Sequence, residues 1–151
     1  MPMKLEPLKQ WKCDTCGETI NSPDDGYVEW KTDEEGRSMD FRLIHQSRTD
    51  GTDPHRCSFP LEYGSSMPVT SLIGHDGLAY RLKDIEREFD RGSTGGIREL
   101  TELTRRLHIP LHEEARLYFD EAERSGSNVE DRSLTQLDLR EIIEEHGNPS
   151  D

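Results

Sequence analysis

Trp11-Lys12-Cys13-Asp14-Thr15-Cys16-Gly17 is the stretch on which the reading turns. Two thiolates spaced as Cys-x-x-Cys can face one ion while the amides of the turn between them point at the sulfurs. Gly17 stands where such a knuckle needs positive φ. A tetrahedral ion wants four ligands, so a second pair has to come from further along the chain. His45 and Cys57 are the candidates, giving Cys13, Cys16, His45 and Cys57 as a three-thiolate, one-imidazole set. His55, in a polar loop beyond Pro54, is the rival imidazole; His45 is favoured because it ends an apolar strand that a hairpin returns toward the knuckle.

Four protein donors leave no open position for water or substrate, which is the mark of structural rather than catalytic zinc. Three thiolates would also leave the centre at a net charge of about −1, weakening the metal as a Lewis acid. The expected cofactor is therefore structural zinc. Tetrahedral thiolate sites also accept iron. A redox pair at Cys13 and Cys16 fits less well, because it wants its first thiol at a helix N-terminus and here Gly17, Glu18 and a strand-rich segment follow.

Working outward, residues 1–63 read as strands and turns. Gly26 opens Tyr27-Val28-Glu29-Trp30-Lys31, Thr32 to Arg37 is a hairpin connection, and Phe41-Arg42-Leu43-Ile44-His45 is the return strand. Cys57, Phe59, Leu61 and Tyr63 alternate, with Pro60 confining any strand there to an edge. Gly64 to Pro68 reads as a short linker. Beyond it the apolar period changes from two to about 3.6. Leu78, Leu82, Ile85 and Phe89 mark the apolar face of a first helix with Asp76 near its start as a cap, and Arg91 to Gly96 breaks it. Ile97, Leu100, Leu103 and Leu107 mark a second helix, Leu111, Ala115, Tyr118, Phe119 and Ala122 a third. The last carries Leu134, Leu137 and Ile142 behind Ser133 as cap. The expected architecture is α+β: a β-rich zinc-binding module over 1–63, a helical subdomain over 64–147 and a frayed end at 148–151.

Composition explains why a metal is wanted. Only 30 of the 151 residues are Leu, Ile, Val or Phe, at the border where chains fail to build a core. Zinc binding in finger peptides is worth roughly 10–16 kcal/mol, against about 5–15 kcal/mol for the whole stability of a typical domain. No apolar run approaches the ~20 residues of a membrane span, and the start lacks the apolar stretch of a signal peptide. Three cysteines, an odd number, argue for reduced thiols in a cytoplasm. The net charge is −13, with −5 on residues 1–63 and −8 on 64–151. Neither half offers the clustered cations that grip phosphates, so the expected partner is another protein rather than nucleic acid.

Trp11-x-Cys13-x-x-Cys16-Gly17, the Gly-x-Val-x-Trp strand at Gly26 to Trp30, and the later His45 and Cys57 together resemble a zinc ribbon or zinc-knuckle module over about residues 10–60. The following Gly74-His75-Asp76-Gly77-Leu78 is similar to a segment that accompanies such modules in bacterial proteins. Zinc ribbons serve transcription, translation, enzyme assembly and phage biology alike, so the resemblance implies metal binding and no particular activity. The Cys-His-Cys mixture and long central insert depart from a compact four-cysteine ribbon.

Residues 97–122 have the outline of a helix-turn-helix, and Arg98, Arg105, Arg106 and Arg116 are the cations it would need. Against that reading, His112, Glu113 and Glu114 stand where a reading helix presents donors, so an ordinary helical hairpin is favoured. His108 and His112 straddle Pro110, which breaks ligand spacing on a helix and leaves both as surface or interface histidines. Acid pairs such as Glu113-Glu114 read as solvated faces. No nucleophile or phosphate-loop signature is present, so a metal-dependent enzyme is the third reading. Trp11 and Trp30 flank the knuckle and first strand; they either cover the site or, with Arg105, Arg106 and Arg116, present a partner surface.

Overall fold

The computed structural model describes residues 4–46, 57–59, 62–130 and 133–147. Strands come first and helices after, an α+β order. Strands β1 (Trp11–Lys12) and β2 (Thr19–Ile20) form an antiparallel pair on either side of the knuckle. Strands β3 (Gly26–Thr32), β4 (Ser38–His45) and β5 (Ser65–Pro68) form an antiparallel sheet in the order β4-β3-β5. The β3–β4 hairpin closes as its composition predicts. Asp33 accepts from the amides of Glu35 and Arg37, both at 2.9 Å, and binds the Arg37 guanidinium.

The Gly64–Pro68 stretch is a strand rather than the expected linker. Ser65 to Pro68 pairs with Trp30 back to Tyr27; as an edge strand it needs no apolar alternation and tolerates Pro68. The alternating residues just before it supply a turn instead: among those described, Phe59 O accepts from the Glu62 and Tyr63 amides. Leu61 lies outside the described residues.

Among the described residues five helices follow: α1 (Gly74–Asp90), α2 (Thr94–His108), α3 (His112–Arg116), α4 (Phe119–Arg124) and α5 (Gln136–His146). Helix α1 contradicts its apolar pattern. Its buried residues are Gly77, Arg81 and Glu88, and neither Leu82 nor Phe89 packs inward. Its N-cap is Ile73, without a side-chain cap from Asp76. The expected third helix is two. Leu117 and Tyr118 close tight turns on Glu114 and Ala115, and the chain restarts with the Phe119 ring edge-on to His112 at 5.5 Å. The cap of α5 is Thr135, not Ser133, and it forms a reciprocal capping box with Asp138. Leu137 is exposed and Leu139 turns inward with Ile142.

The main core gathers Trp11, Cys13, Ile20, Val28, Leu43, Ile44, Cys57, Val69 and Leu72 with Leu103 and Leu107 of α2, so both halves of the chain contribute to it. A second, smaller cluster joins Ala115, Ala122, Val129, Leu139 and Ile142. Among the described residues no helix is long and apolar enough to cross a membrane.

Candidate metal centre

Strand β1 delivers the chain into the knuckle. The Cys13 amide donates to Glu18 O (2.9 Å) and the Gly17 amide to Cys13 O (3.0 Å). Gly17 sits at φ +74°, the left-handed conformation for which its position was read. The amides of Thr15 and Cys16 point at Cys13 Sγ from 3.4 and 3.5 Å. The knuckle is pinned to β4 in both directions: the Asp14 amide donates to Leu43 O, and the Leu43 amide to Asp14 Oδ2, each at 2.8 Å.

His45 ends β4, buried beside the knuckle. Its Nε2 lies 3.1 Å from Thr19 O, which can only accept, so that nitrogen carries the proton and Nδ1 keeps its lone pair. Nδ1 faces Cys16 Sγ at 3.4 Å and Cys57 Sγ at 3.7 Å. In a zinc tetrahedron with ordinary bond lengths the sulfur–nitrogen edge is about 3.6 Å. The four donor atoms of Cys13, Cys16, His45 and Cys57 all lie within 4.8 Å of one another. The sequence-derived set is thus brought together, and His45 occupies the imidazole position; the rival His55 lies outside the described residues.

Burial and crowding oppose ionisation of two of the three thiols when no ion is bound. Burial pushes the Cys57 thiol well above its ordinary range, and the neighbouring Cys13 and Cys16 add to that. Burial likewise raises Cys16. Cys13 is the exception: burial works against ionisation there too, but the amides of Cys16 and Thr15 outweigh it and lower the value. Three thiolates this close need a positive charge at their centre.

Cys57 is held by residues that sequence reading missed. The carboxylate of Glu29, buried on β3, pairs with Arg42 directly across on β4. It also accepts from Ser58 Oγ at 3.1 Å, and Arg42 Nη2 donates to Cys57 O at 3.2 Å. The Arg42 guanidinium stacks over the Phe59 and Tyr63 rings. On the other side α2 grips the knuckle through Arg106, which is buried. Its guanidinium binds both oxygens of Glu113 (2.8 and 2.9 Å), Asp14 Oδ2 (2.8 Å) and Lys12 O (3.1 Å). The buried Trp11 donates from Nε1 to Arg106 O at 2.9 Å.

These contacts redistribute the residues read as a partner surface. Trp11 and Arg106 are interior. Trp30 is half-buried and stacked on Phe41. Arg105 pairs with Glu102, and Arg116 with Glu113 and Glu102. His112, expected at the surface, is buried with Nε2 2.8 Å from Glu102 Oε1. Glu113 and Glu114, expected on a solvated face, are buried because each accepts a backbone amide from the N-terminal segment: Lys12 to Glu113 and Leu5 to Glu114.

Fold and site together define a small α+β protein with a three-cysteine, one-histidine cluster able to bind a metal ion. No protein-family model, curated protein or solved structure matches the chain.

Proposed function

We propose that this chain is a non-enzymatic protein-interaction module, working in a reducing cytoplasm, whose fold is held by one structural zinc ion on Cys13, Cys16, His45 and Cys57. The observation that carries the reading is the convergence of four donors within 4.8 Å, three of them buried. Three sulfurs and a nitrogen this close together suit zinc, and a full set of four protein donors favours a folding role over chemistry on a substrate. The Thr19 carbonyl behind His45 is the outer support such a ligand needs.

The nucleic-acid reading draws little support from the region that suggested it. Helix α3 spans five residues, too few to lie along a groove, and Arg105, Arg106 and Arg116 already face carboxylates.

Metal analysis of the purified native protein tests the proposal. One zinc per chain is expected, and cobalt substitution should give a tetrahedral thiolate spectrum that added ligands do not alter. Cys13→Ser should lose the ion and unfold at least residues 10–60. A variant that keeps both zinc and melting temperature would remove Cys13 from the site.

A further inference from the structure

Helix α1 is mounted with its apolar stripe turned to the side, half of it exposed. Gly77, Arg81 and Glu88 face the protein. At 3.6 residues per turn, Leu78, Leu82, Ile85 and Phe89 fall roughly a quarter-turn away. Leu82 is 53% and Phe89 73% exposed. The buried side is fastened by polar contacts: Arg81 pairs with Asp84, and Glu88 Oε2 accepts from the Ser38 amide at 3.2 Å. Leu78 and Ile85 are half-buried, so the outer edge of the stripe, Leu82 and Phe89, is what stands in water, and in a chain with so little apolar material that edge marks a surface meant to be covered. Next to α2 the stripe becomes concave. Ile85 and Phe89, with Ile97 of α2, line a groove of about 380 Å³ whose rim carries Glu86 and Asp90.

We infer that this α1–α2 groove is the docking site for an amphipathic helix of a partner protein, one that inserts apolar side chains between Ile85, Phe89 and Ile97 and sets Lys or Arg against Glu86 and Asp90. Charge selects the occupant. Arg87 is held by Asp84 at 3.2 Å. Lys83 meets Glu86 at 3.3 Å with both side chains about two-thirds exposed (68% and 67%), a solvent-screened pair that a docked cation can replace. The chain carries −13 overall. A second copy docked two-fold on this face would set Glu86 and Asp90 against their own counterparts, whereas a basic helix finds complementary charge around an apolar centre. A groove between two helices suits side chains spaced i, i+3 or i+4.

The inference rests on the protein-interaction reading above. The probe is a fluorescently labelled 14-residue peptide of Leu and Lys in helical amphipathic order, with a Leu/Glu peptide of the same pattern as control. One-to-one saturable binding of the Leu/Lys peptide alone is expected. Phe89→Asp should weaken it at least tenfold although it makes the protein more negative. Tyr80→Asp, the same charge change at an exposed position on the opposite side of α1, should leave it unaltered. Both variants should keep the bound metal and far-ultraviolet spectrum of the parent, which separates loss of the groove from loss of the fold. Equal binding by the two variants would discard the groove and leave a partner surface elsewhere. No saturable binding of either peptide would discard the groove alone, leaving the interaction reading and the metal site to their own tests. A dimer seen in sedimentation velocity and abolished by Phe89→Asp would overturn the proposal in favour of self-association.

Discussion

The Glu29–Arg42 pair, with Thr15, holds the segment that carries the third thiolate. Its two members face one another across β3 and β4, and between them they bind Ser58 and the carbonyl of Cys57. The Glu29 side chain is 2% exposed and that of Arg42 19%. Removing the cation would strand a carboxylate inside the protein, a loss of about 3–5 kcal/mol. Arg42→Ala should therefore lower the unfolding free energy from urea titration by that amount and, with Cys57 loosened, weaken zinc in competition with a chelating dye. Unchanged zinc affinity would show that Cys57 holds its place without this pair. At this scale the sequence is uneven in what it reveals. Cysteine and histidine are scarce here, so four of them at workable spacing are conspicuous. Acids number 32, and nothing in Tyr27-Val28-Glu29-Trp30 distinguishes Glu29 from those in water; only the cross-strand register does.

Elements were readable where one face is buried and obscure where packing is polar or the strand lies at an edge. The β3–β4 hairpin follows its alternation and turn residues. Strand β5 has no such signal in Ser-Ser-Met-Pro. Helix α1 has a clear helical period, yet its inward face is set by Gly77 rather than by its leucines. A Cβ at Gly77 would fall 2.2 Å from the Leu72 carbonyl carbon, so the helix lies directly on the backbone of the preceding turn and only glycine allows that approach. Alanine is the better helix former by about 1 kcal/mol, but it would force apart backbone that cannot swing aside as a side chain can. Overpacking of about 1–3 kcal/mol less that gain leaves Gly77→Ala destabilised by up to about 2 kcal/mol net, visible as a lower thermal midpoint. A rise in that midpoint would mean that α1 is free to shift.

Taken whole, the molecule shares its apolar core between the knuckle and α2, through Trp11, Cys13 and Cys57 on one side and Leu103 and Leu107 on the other. A strong zinc chelator should thus abolish the near-ultraviolet signal of the tryptophans and the helical far-ultraviolet signal in one transition. Two separate transitions would show that the helices stand without the metal. This sharing was not legible from residue order, which places a change of period between the halves and gives no hint that Trp11 reaches the carbonyl of Arg106. Nor does composition disclose how the acids are used. Glu88, Glu99, Glu113 and Glu114, all on helices, accept amides of Ser38, of Asp40 and Phe41, of Lys12 and of Leu5. Helical glutamates thereby act as rivets for extended backbone, so the acidity of this chain is partly architectural. Anyone redesigning it toward neutrality could recolour the exposed Glu34, Glu141 or Glu144, but converting those four to lysine would dismantle the joints between helix and strand.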